Sequence, residues 1–164
     1  MKPARSFTLV EILVVVSIVL VLAAIALPQL IRSRMTAIES TAVSNLRGLA
    51  NALAMFRSAN NRYPAQWQLE VYTNADPDYG PALFNADLGA GFTAQGYFYR
   101  YEPAAGAAPL AYAIAARPAI ANLSGSRTFW VNETAEIFHC LGISAAQDPP
   151  VSVAAISEAP AACP

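Results

Sequence analysis

The apolar residues in the N-terminal part of this chain follow two different patterns. Between Leu9 and Ile31 the sequence contains sixteen Leu, Ile and Val residues and one charged residue, Glu11. A run of this length and composition can cross a lipid bilayer as a helix. From Met35 to Phe56, apolar residues instead recur at every third or fourth position, which predicts an amphipathic helix. The positions of this apolar stripe are Met35, Ile38, Ala42, Leu46, Leu49, Leu53 and Phe56.

The two patterns follow one another directly, and together they predict one long helix over residues 7–58. Residues 7–31 form its membrane-spanning part and residues 32–58 its amphipathic part. At about 1.5 Å per residue the helix is roughly 75 Å long, which exceeds the thickness of a bilayer. The apolar stripe must therefore pack outside the membrane, either on the rest of the same chain or on a coiled-coil partner. Pro28 removes one backbone hydrogen bond, so we expect a kink or local unwinding near it.

The rest of the chain carries turn and strand patterns. Residues 59–95 show no sustained period, which predicts a connecting loop with one short helical turn. Residues 96–164 begin with four short runs rich in aromatic and β-branched residues, which predict an antiparallel meander followed by a C-terminal tail. The fold class predicted is therefore α+β, a long N-terminal helix packed against a small antiparallel sheet. The predicted strands are Tyr97–Glu102, Ala111–Ala116, Thr128–Asn132 and Glu136–Cys140.

Composition and charge exclude several functions. The formal net charge of -1 gives no basic field of the kind that binds nucleic acid, so no nucleic-acid partner is predicted. The sequence has one histidine, His139, and contains neither a glycine-rich phosphate loop nor a metal-ligand spacing. We therefore predict no enzyme, no metal site and no cofactor. His139 is expected to be a strand-end residue.

Two further kinds of motif have simple interpretations. Tyr97, Tyr99 and Tyr101 would share one face of a strand, which indicates ordinary sheet packing more than a conductive surface. Glycosylation patterns begin at Asn122 and Asn132, but such matches are weak. We expect neither motif to define the function.

The two cysteines, Cys140 and Cys163, allow one intramolecular pairing. A disulfide would persist if the chain is exported to an oxidising compartment. Closing a loop of about 24 residues would stabilise the fold by about 3 kcal/mol on the chain-entropy model. The alternative is a pair of free thiols in a reducing cytosol.

The residues around the apolar run indicate how the chain enters the membrane. Lys2 and Arg5 precede the run and should stay cytoplasmic, so that the rest faces outward. Sixteen aliphatic residues favour insertion by roughly 5 to 10 kcal/mol, whereas one acid at mid-membrane costs about 2.5 to 3.5 kcal/mol. Insertion is therefore favoured despite Glu11. The run could still be a secretory signal cleaved near residues 24–26, or a plain single-span anchor.

A third interpretation comes from the residues Ser6-Phe7-Thr8-Leu9-Val10-Glu11 and the apolar stretch behind them. They resemble the class III leader of type IV prepilins and pseudopilins. The resemblance implies that residues 1–6 are a leader peptide, which a prepilin peptidase removes between Ser6 and Phe7 before it methylates the Phe7 amine. It also implies an assembly role for Glu11. The residue before the cut is usually glycine, and Ser6 departs from that pattern in a way that predicts slower processing.

The chemistry of the freed amine supports the role of Glu11. After cleavage the Phe7 amine is a cation on an apolar helix, where an uncompensated charge is costly. The Glu11 carboxylate of the same or of a neighbouring chain would neutralise it. A pair between chains would also fix the axial register of two helices. The sequence leaves both pairings open.

The resemblance implies a structural subunit of a type IV pilus, with a pseudopilin of a type II secretion system as the alternative. A monomeric membrane-tethered binding domain is a third possibility. The implied partners are copies of the same chain in a helical filament, the prepilin peptidase, an inner-membrane assembly platform and minor pilins. The chain would lie in the inner membrane with its globular part in the periplasm, and then in an extracellular filament.

Overall fold

The computed structural model describes residues 8–75 and 77–141. The chain divides into two compact units, Met1–Arg34 and Met35–Pro164. One helix, α1 (Leu9–Asn60), contributes its first half to one unit and its second half to the other. The sequence predicted this helix to within two residues at each end.

Helix α1 ends where two asparagines follow the last apolar turn. Asn61 adopts the left-handed conformation (φ 54°), and its N–H donates to the carbonyl of Arg57 at 2.8 Å. This arrangement satisfies a carbonyl that the helix end would otherwise leave unpaired. Further upstream, the helix continues through Pro28 without a break. The predicted local unwinding is therefore wrong for this structure, and the kink stays a prediction.

The second unit contains a five-stranded antiparallel sheet in which each strand pairs with the next along the chain. This order confirms the predicted meander and the α+β fold class. The strands are β1 (Phe92–Ala94), β2 (Tyr97–Pro103), β3 (Tyr112–Pro118), β4 (Arg127–Asn132) and β5 (Ile137–Leu141).

Strand β1 corrects the sequence analysis, which assigned residues 59–95 to a loop. The strand has three residues, too few to show an alternating pattern. A two-residue turn, Gln95 and Gly96, joins it to β2, and both residues have positive φ angles, 49° and 86°. Such angles define the tight hairpin turn that matches the twist of its strands. Gln-Gly is a weaker hairpin signal than Asn-Gly, so the turn was missed.

The segment before β1 is also more ordered than a loop. It contains a π-helical turn (Leu69–Thr73) and a 3-10 helix (Ala82–Phe84), where the sequence predicted one helical turn. Trp67 is buried, and its indole N–H donates to the carbonyl of Phe84 at 2.9 Å. Glu70 accepts hydrogen bonds from two backbone N–H groups and pairs with Arg62. These contacts fold the segment onto the core.

The core lies between the second half of α1 and the inner face of the sheet. Five residues of the apolar stripe, from Ala42 to Phe56, are buried in one cluster with Tyr97, Tyr99 and Tyr101. The stripe therefore packs on its own chain, as predicted. The three tyrosines alternate along β2 and all point inward, which confirms that they are packing residues.

We expect Leu53→Ala to lower the free energy of unfolding by about 2 to 5 kcal/mol, because it leaves a cavity in the core. Leu53 is 0% exposed, whereas Met55 on the same helix is 57% exposed. Met55→Ala is therefore the matched control and should change stability by about 0.5 kcal/mol or less. Urea unfolding of the full-length chain in detergent, followed by near-UV circular dichroism, measures both. Equal losses would contradict the position of the core.

Candidate processing and assembly site

The N-terminal end of α1 is organised by Thr8. This residue immediately precedes the helix, and its Oγ1 accepts a hydrogen bond from the backbone N–H of Glu11 at 3.2 Å. A threonine in this position caps one of the N–H groups that a helix start leaves unpaired. The cap lies on the C-terminal side of the predicted cut, so a chain that begins at Phe7 would retain it. Ser6 and Phe7 themselves lie outside the described residues, and cleavage and methylation there stay predictions.

The cap gives Thr8 a role that the sequence analysis missed. Thr8 and Glu11 have the Ser/Thr-x-x-Glu spacing of a capping box, which predicts the hydrogen bond found here. The sequence analysis considered Glu11 only as a charge, but this residue also lies in the first turn of the helix. An acid in the first turn also interacts favourably with the positive end of the helix dipole.

The first half of α1 presents an apolar surface with no cover. All sixteen Leu, Ile and Val side chains between Leu9 and Ile31 are exposed. Within the part of the chain that the structure describes, one helix is long and apolar enough to cross a membrane, and it contains this segment. Ser17, a polar residue in it, donates its hydroxyl hydrogen to the carbonyl of Val14 at 2.7 Å. The backbone and side chains are therefore compatible with a bilayer, which supports membrane anchoring.

Glu39 joins α1 to the loop between β3 and β4. Only 12% of its side chain is exposed. Its Oε1 accepts hydrogen bonds from the backbone N–H of Ser126 at 2.7 Å and from the Ser126 hydroxyl at 3.1 Å. The Nε of Arg127 lies 3.7 Å from its Oε2. Glu39 follows Ile38 directly and therefore lies at the edge of the apolar stripe. From this position its carboxylate reaches Ser126 and Arg127.

The tyrosine hydroxyls in the core are paired and far from water. Tyr97 donates to the carbonyl of Arg127 at 2.8 Å, and Tyr101 donates to that of Pro64 at 2.6 Å. Tyr99 accepts a hydrogen bond from Asn45 at 3.0 Å. Burial raises the pKa of each of these tyrosines above its usual value. Burial also raises the pKa of Tyr72 and Tyr112.

The remaining residues singled out from the sequence show little chemistry. His139 is exposed and lies within β5 instead of at its end. Among the described residues, no group of three or more His, Cys, Asp and Glu side chains could hold a metal. The buried Asn132 accepts hydrogen bonds from the N–H and hydroxyl of Thr134, whereas Asn122 is exposed. Cys140 is buried, but Cys163 lies outside the described residues, and the disulfide stays a prediction.

Comparison with known proteins identifies the N-terminal segment. Residues 1–27 match the family model described as the prokaryotic N-terminal methylation motif. The type II secretion system core protein G of Escherichia coli is 38% identical over 97 residues, which are 58% of this chain and 62% of that protein. The core protein G of Pectobacterium carotovorum is 44% identical over 64 residues, 39% of this chain and 41% of that protein. No solved structure matches the chain significantly.

A type IV pilin is also similar to this chain. The type IV major pilin protein PilA of Myxococcus xanthus is 42% identical over 59 residues, which are 36% of this chain and 27% of that protein. The chain therefore carries a prepilin-type N-terminus and is homologous to type II secretion core proteins G and to a type IV pilin. It spans less than two thirds of the length of each of these relatives.

We expect the free energy of unfolding to fall as the pH rises above about 10, the usual pKa of tyrosine. Because the folded-state pKa values of the buried tyrosines are raised, their stabilising effect is complete below that pH and is lost above it. Each buried tyrosine contributes a slope of up to about 1.4 kcal/mol per pH unit. Urea unfolding across alkaline pH measures the slope. Tyr101→Phe removes one titrating group and should reduce the slope by up to about 1.4 kcal/mol per pH unit. Full tyrosinate absorbance near pH 10 in a folded chain would contradict this prediction.

Proposed function

We propose that this chain is a structural subunit of a membrane-anchored helical filament. The observation that carries the proposal is the exposed apolar first half of α1, which lies largely within the methylation motif of residues 1–27 and contains a single carboxylate, Glu11. A helix that only anchors a domain has no need of a charge near its end. In a filament, the same helix would exchange lipid for the corresponding helices of other copies.

The charge on Glu11 would control this exchange. Before cleavage, the nitrogen of Phe7 belongs to a neutral peptide bond and requires no partner. Cleavage after Ser6 by the prepilin peptidase would create a cation at the positive end of the α1 dipole, where it is unfavourable. The exposed Glu11 carboxylate of a neighbouring copy would compensate it. A shift of one helical turn, about 5.4 Å, would leave both charges unpaired in an apolar environment, so the pair would set the register.

Within this class, we put a pseudopilus of a type II secretion system first. The match to the Escherichia coli core protein G covers 97 residues, more than the leader and α1 together contain, so it includes part of the globular unit. The match to PilA covers 59 residues, which α1 and the leader could supply alone. The sequence analysis put the pilus first, although the two classes share their N-terminal features. The relatives favour the reverse order.

The proposal includes a path through the cell. The chain would enter the inner membrane with its globular unit in the periplasm, and an inner-membrane assembly platform would then extract it into the filament together with minor subunits. A pilus would carry it outside the cell. A monomeric tethered binding domain remains the competing class, since it too would need a membrane helix.

The mature chain should begin at N-methylated Phe7. Mass spectrometry of filaments sheared from cells, or of the membrane fraction, measures the N-terminal peptide directly. The outcome that opposes processing is a chain starting at Leu27, which would make the apolar run a secretory signal. A chain that keeps Met1 would indicate a plain anchor.

Glu11→Gln should leave membrane insertion unimpaired and lower the filament yield by about tenfold or more. The reason is that an uncompensated buried charge costs several kcal/mol, and about 1.4 kcal/mol corresponds to a factor of ten. Ser17→Ala is the matched control in the same segment, because the Ser17 hydroxyl bonds within its own helix. Immunoblots of membrane and sheared fractions measure both quantities. Normal yield from Glu11→Gln would refute the charge pair.

Deletion of the gene should distinguish the two filament classes. A pseudopilin mutant should retain exported proteins in the periplasm and keep its surface filaments. A pilin mutant should lose surface filaments or surface motility and secrete normally. A mutant with intact secretion and intact filaments would support the tethered binding domain instead.

A further inference from the structure

The loop between β3 and β4 exposes two large aliphatic side chains. This loop, which we call the β3–β4 loop, consists of residues 119–126. Ile120 is 56% exposed and Leu123 is 57% exposed. The backbone N–H of Leu123 donates to the carbonyl of Ile120 at 3.3 Å, so the two residues are the ends of one turn. The loop therefore presents both side chains to solvent close to one another.

The opposite side of the β3–β4 loop is fixed to the core. The N–H of Ser124 donates to the carbonyl of Ile120 at 2.9 Å, and Ser126 donates to the Glu39 carboxylate. Gly125 is buried, and a Cβ added to it would lie 3.2 Å from the Cγ of Glu39. The backbone of the loop is thus ordered before any partner binds. Burying its exposed side chains would therefore cost little further ordering entropy.

The β3–β4 loop lies at the end of the second unit where the chain enters it. The unit begins at Met35, and the loop contacts Glu39, its fifth residue. The β1–β2 turn is beside them, since a Cβ added to Gly96 would lie 3.0 Å from the Cγ2 of Ile38. We call this part of the unit, formed by the β3–β4 loop, the β1–β2 turn and residues 35–39, the entry end.

Chain connectivity alone keeps the entry end near the membrane. The apolar run ends at Ile31, and Met35 follows four residues later (35 minus 31). Four residues span about 14 Å at most, even when they are fully extended. The headgroup region on each side of a bilayer is itself about 5 to 8 Å thick. A chain that the run anchors therefore holds its entry end at or close to the headgroups.

The charged residues around the entry end are mostly basic. Arg117 is the next to last residue of β3 and Arg127 is the first residue of β4, so the β3–β4 loop lies between them. Glu39 is the acid at this end, and its Oε2 lies 3.7 Å from the Nε of Arg127. Arg32 and Arg34 precede the unit in the chain. Four cations thus accompany one acid that is already paired, and such an excess attracts anionic phospholipid headgroups.

The opposite end of the same unit, which we call the far end, differs in charge. It contains the loop between β2 and β3, where the carbonyl of Pro109 accepts a hydrogen bond from the N–H of Tyr63 at 2.7 Å. On the helix side, Arg62 and Glu70 form an ion pair, and Arg57 is a further cation. In the sheet and its connecting loops, the described charges at the far end are all acidic. They are Glu102, Glu133 and Glu136.

We propose that the β3–β4 loop is a second membrane contact, which buries Ile120 and Leu123 at the boundary between the headgroups and acyl chains of an anionic bilayer. The surrounding arginines would bind the lipid phosphate groups. Because the anchored chain keeps the lipid at a high effective concentration, a contact that is weak on its own would still be populated. The proposal requires the membrane anchor and not the filament, so it holds equally for a tethered domain.

A second copy of the chain fits this surface less well than lipid does. Its entry end carries the same excess of cations and would repel this one. Its far end contains the acids, but the helix of the unit rises about 30 Å between residues 39 and 60. Two copies anchored in one bilayer hold equivalent ends at equal heights. The entry end of one would therefore not meet the far end of the other while both are in the membrane.

Photo-cross-linking in vesicles tests this contact. The full-length chain is placed in vesicles of phosphatidylethanolamine and phosphatidylglycerol, and only chains that resist alkaline extraction are analysed, so failed insertion does not count. Benzoylphenylalanine in place of Leu123 should form a phospholipid adduct, measured by mass spectrometry of the intact chain. The matched control is the same probe in place of Leu110, which is 66% exposed at the far end and should give several-fold less adduct.

Two outcomes of this experiment would overturn the proposal. One is an adduct yield at position 123 no higher than that at position 110. The other is a dimer of the chain as the main product from position 123, which would assign the loop to a second copy. Because the vesicles contain no assembly machinery, neither outcome depends on whether the chain forms a filament.

The apolar and charged contributions can be separated in chains that carry the probe at position 123. Ile120→Ser should lower the adduct yield at least twofold, whereas the control Leu110→Ser should leave it unchanged. Both side chains are exposed, so near-UV circular dichroism should be the same in both variants. Vesicles of phosphatidylcholine, which has no net charge, should also lower the yield at least twofold. A yield that neither Ile120→Ser nor the change of lipid reduces would contradict the proposed contact.

Discussion

An apolar surface that the described chain leaves uncovered is the constraint on which this structure depends. The aliphatic side chains between Leu9 and Ile31 cannot face water in this number, so they require lipid or other apolar helices. These two surroundings are almost equally apolar, and the hydrophobic effect alone does not choose between them. Polar groups decide instead. Glu11 is the one charged residue in the run, and its surroundings therefore have a large influence on where the helix is stable.

The second half of α1 meets the same requirement inside its own unit. There the apolar stripe is covered by the inner face of the sheet, and Glu39 attaches the edge of that contact to the loop before β4. The connecting segment adds Trp67 to the same core. One helix thus serves two different contacts, because its apolar residues surround it in the first half and form a single stripe in the second.

Sequence reasoning found the features that rest on long patterns. The helix, its apolar stripe and four of the strands rest on signals repeated over many residues, and the leader motif is a contiguous sequence of six residues. It missed features that depend on a few residues brought together by the fold. Strand β1 is too short to carry a period, Trp67 stands alone in a segment without one, and the partner of Glu39 is 87 residues away in the sequence. Thr8 could have been found, since its capping spacing is local.

The two tryptophans of the chain lie on opposite sides of the sheet. Trp67 is packed among aromatic rings on the helix side, and Trp130 is stacked on Phe138 on the other. Their indole N–H groups also differ in hydrogen bonding. The Trp67 Nε1 donates to the carbonyl of Phe84, whereas the Trp130 Nε1 has no partner among the described residues. The fluorescence of this protein therefore has two separate sources, and each reports the loosening of a different side of the sheet.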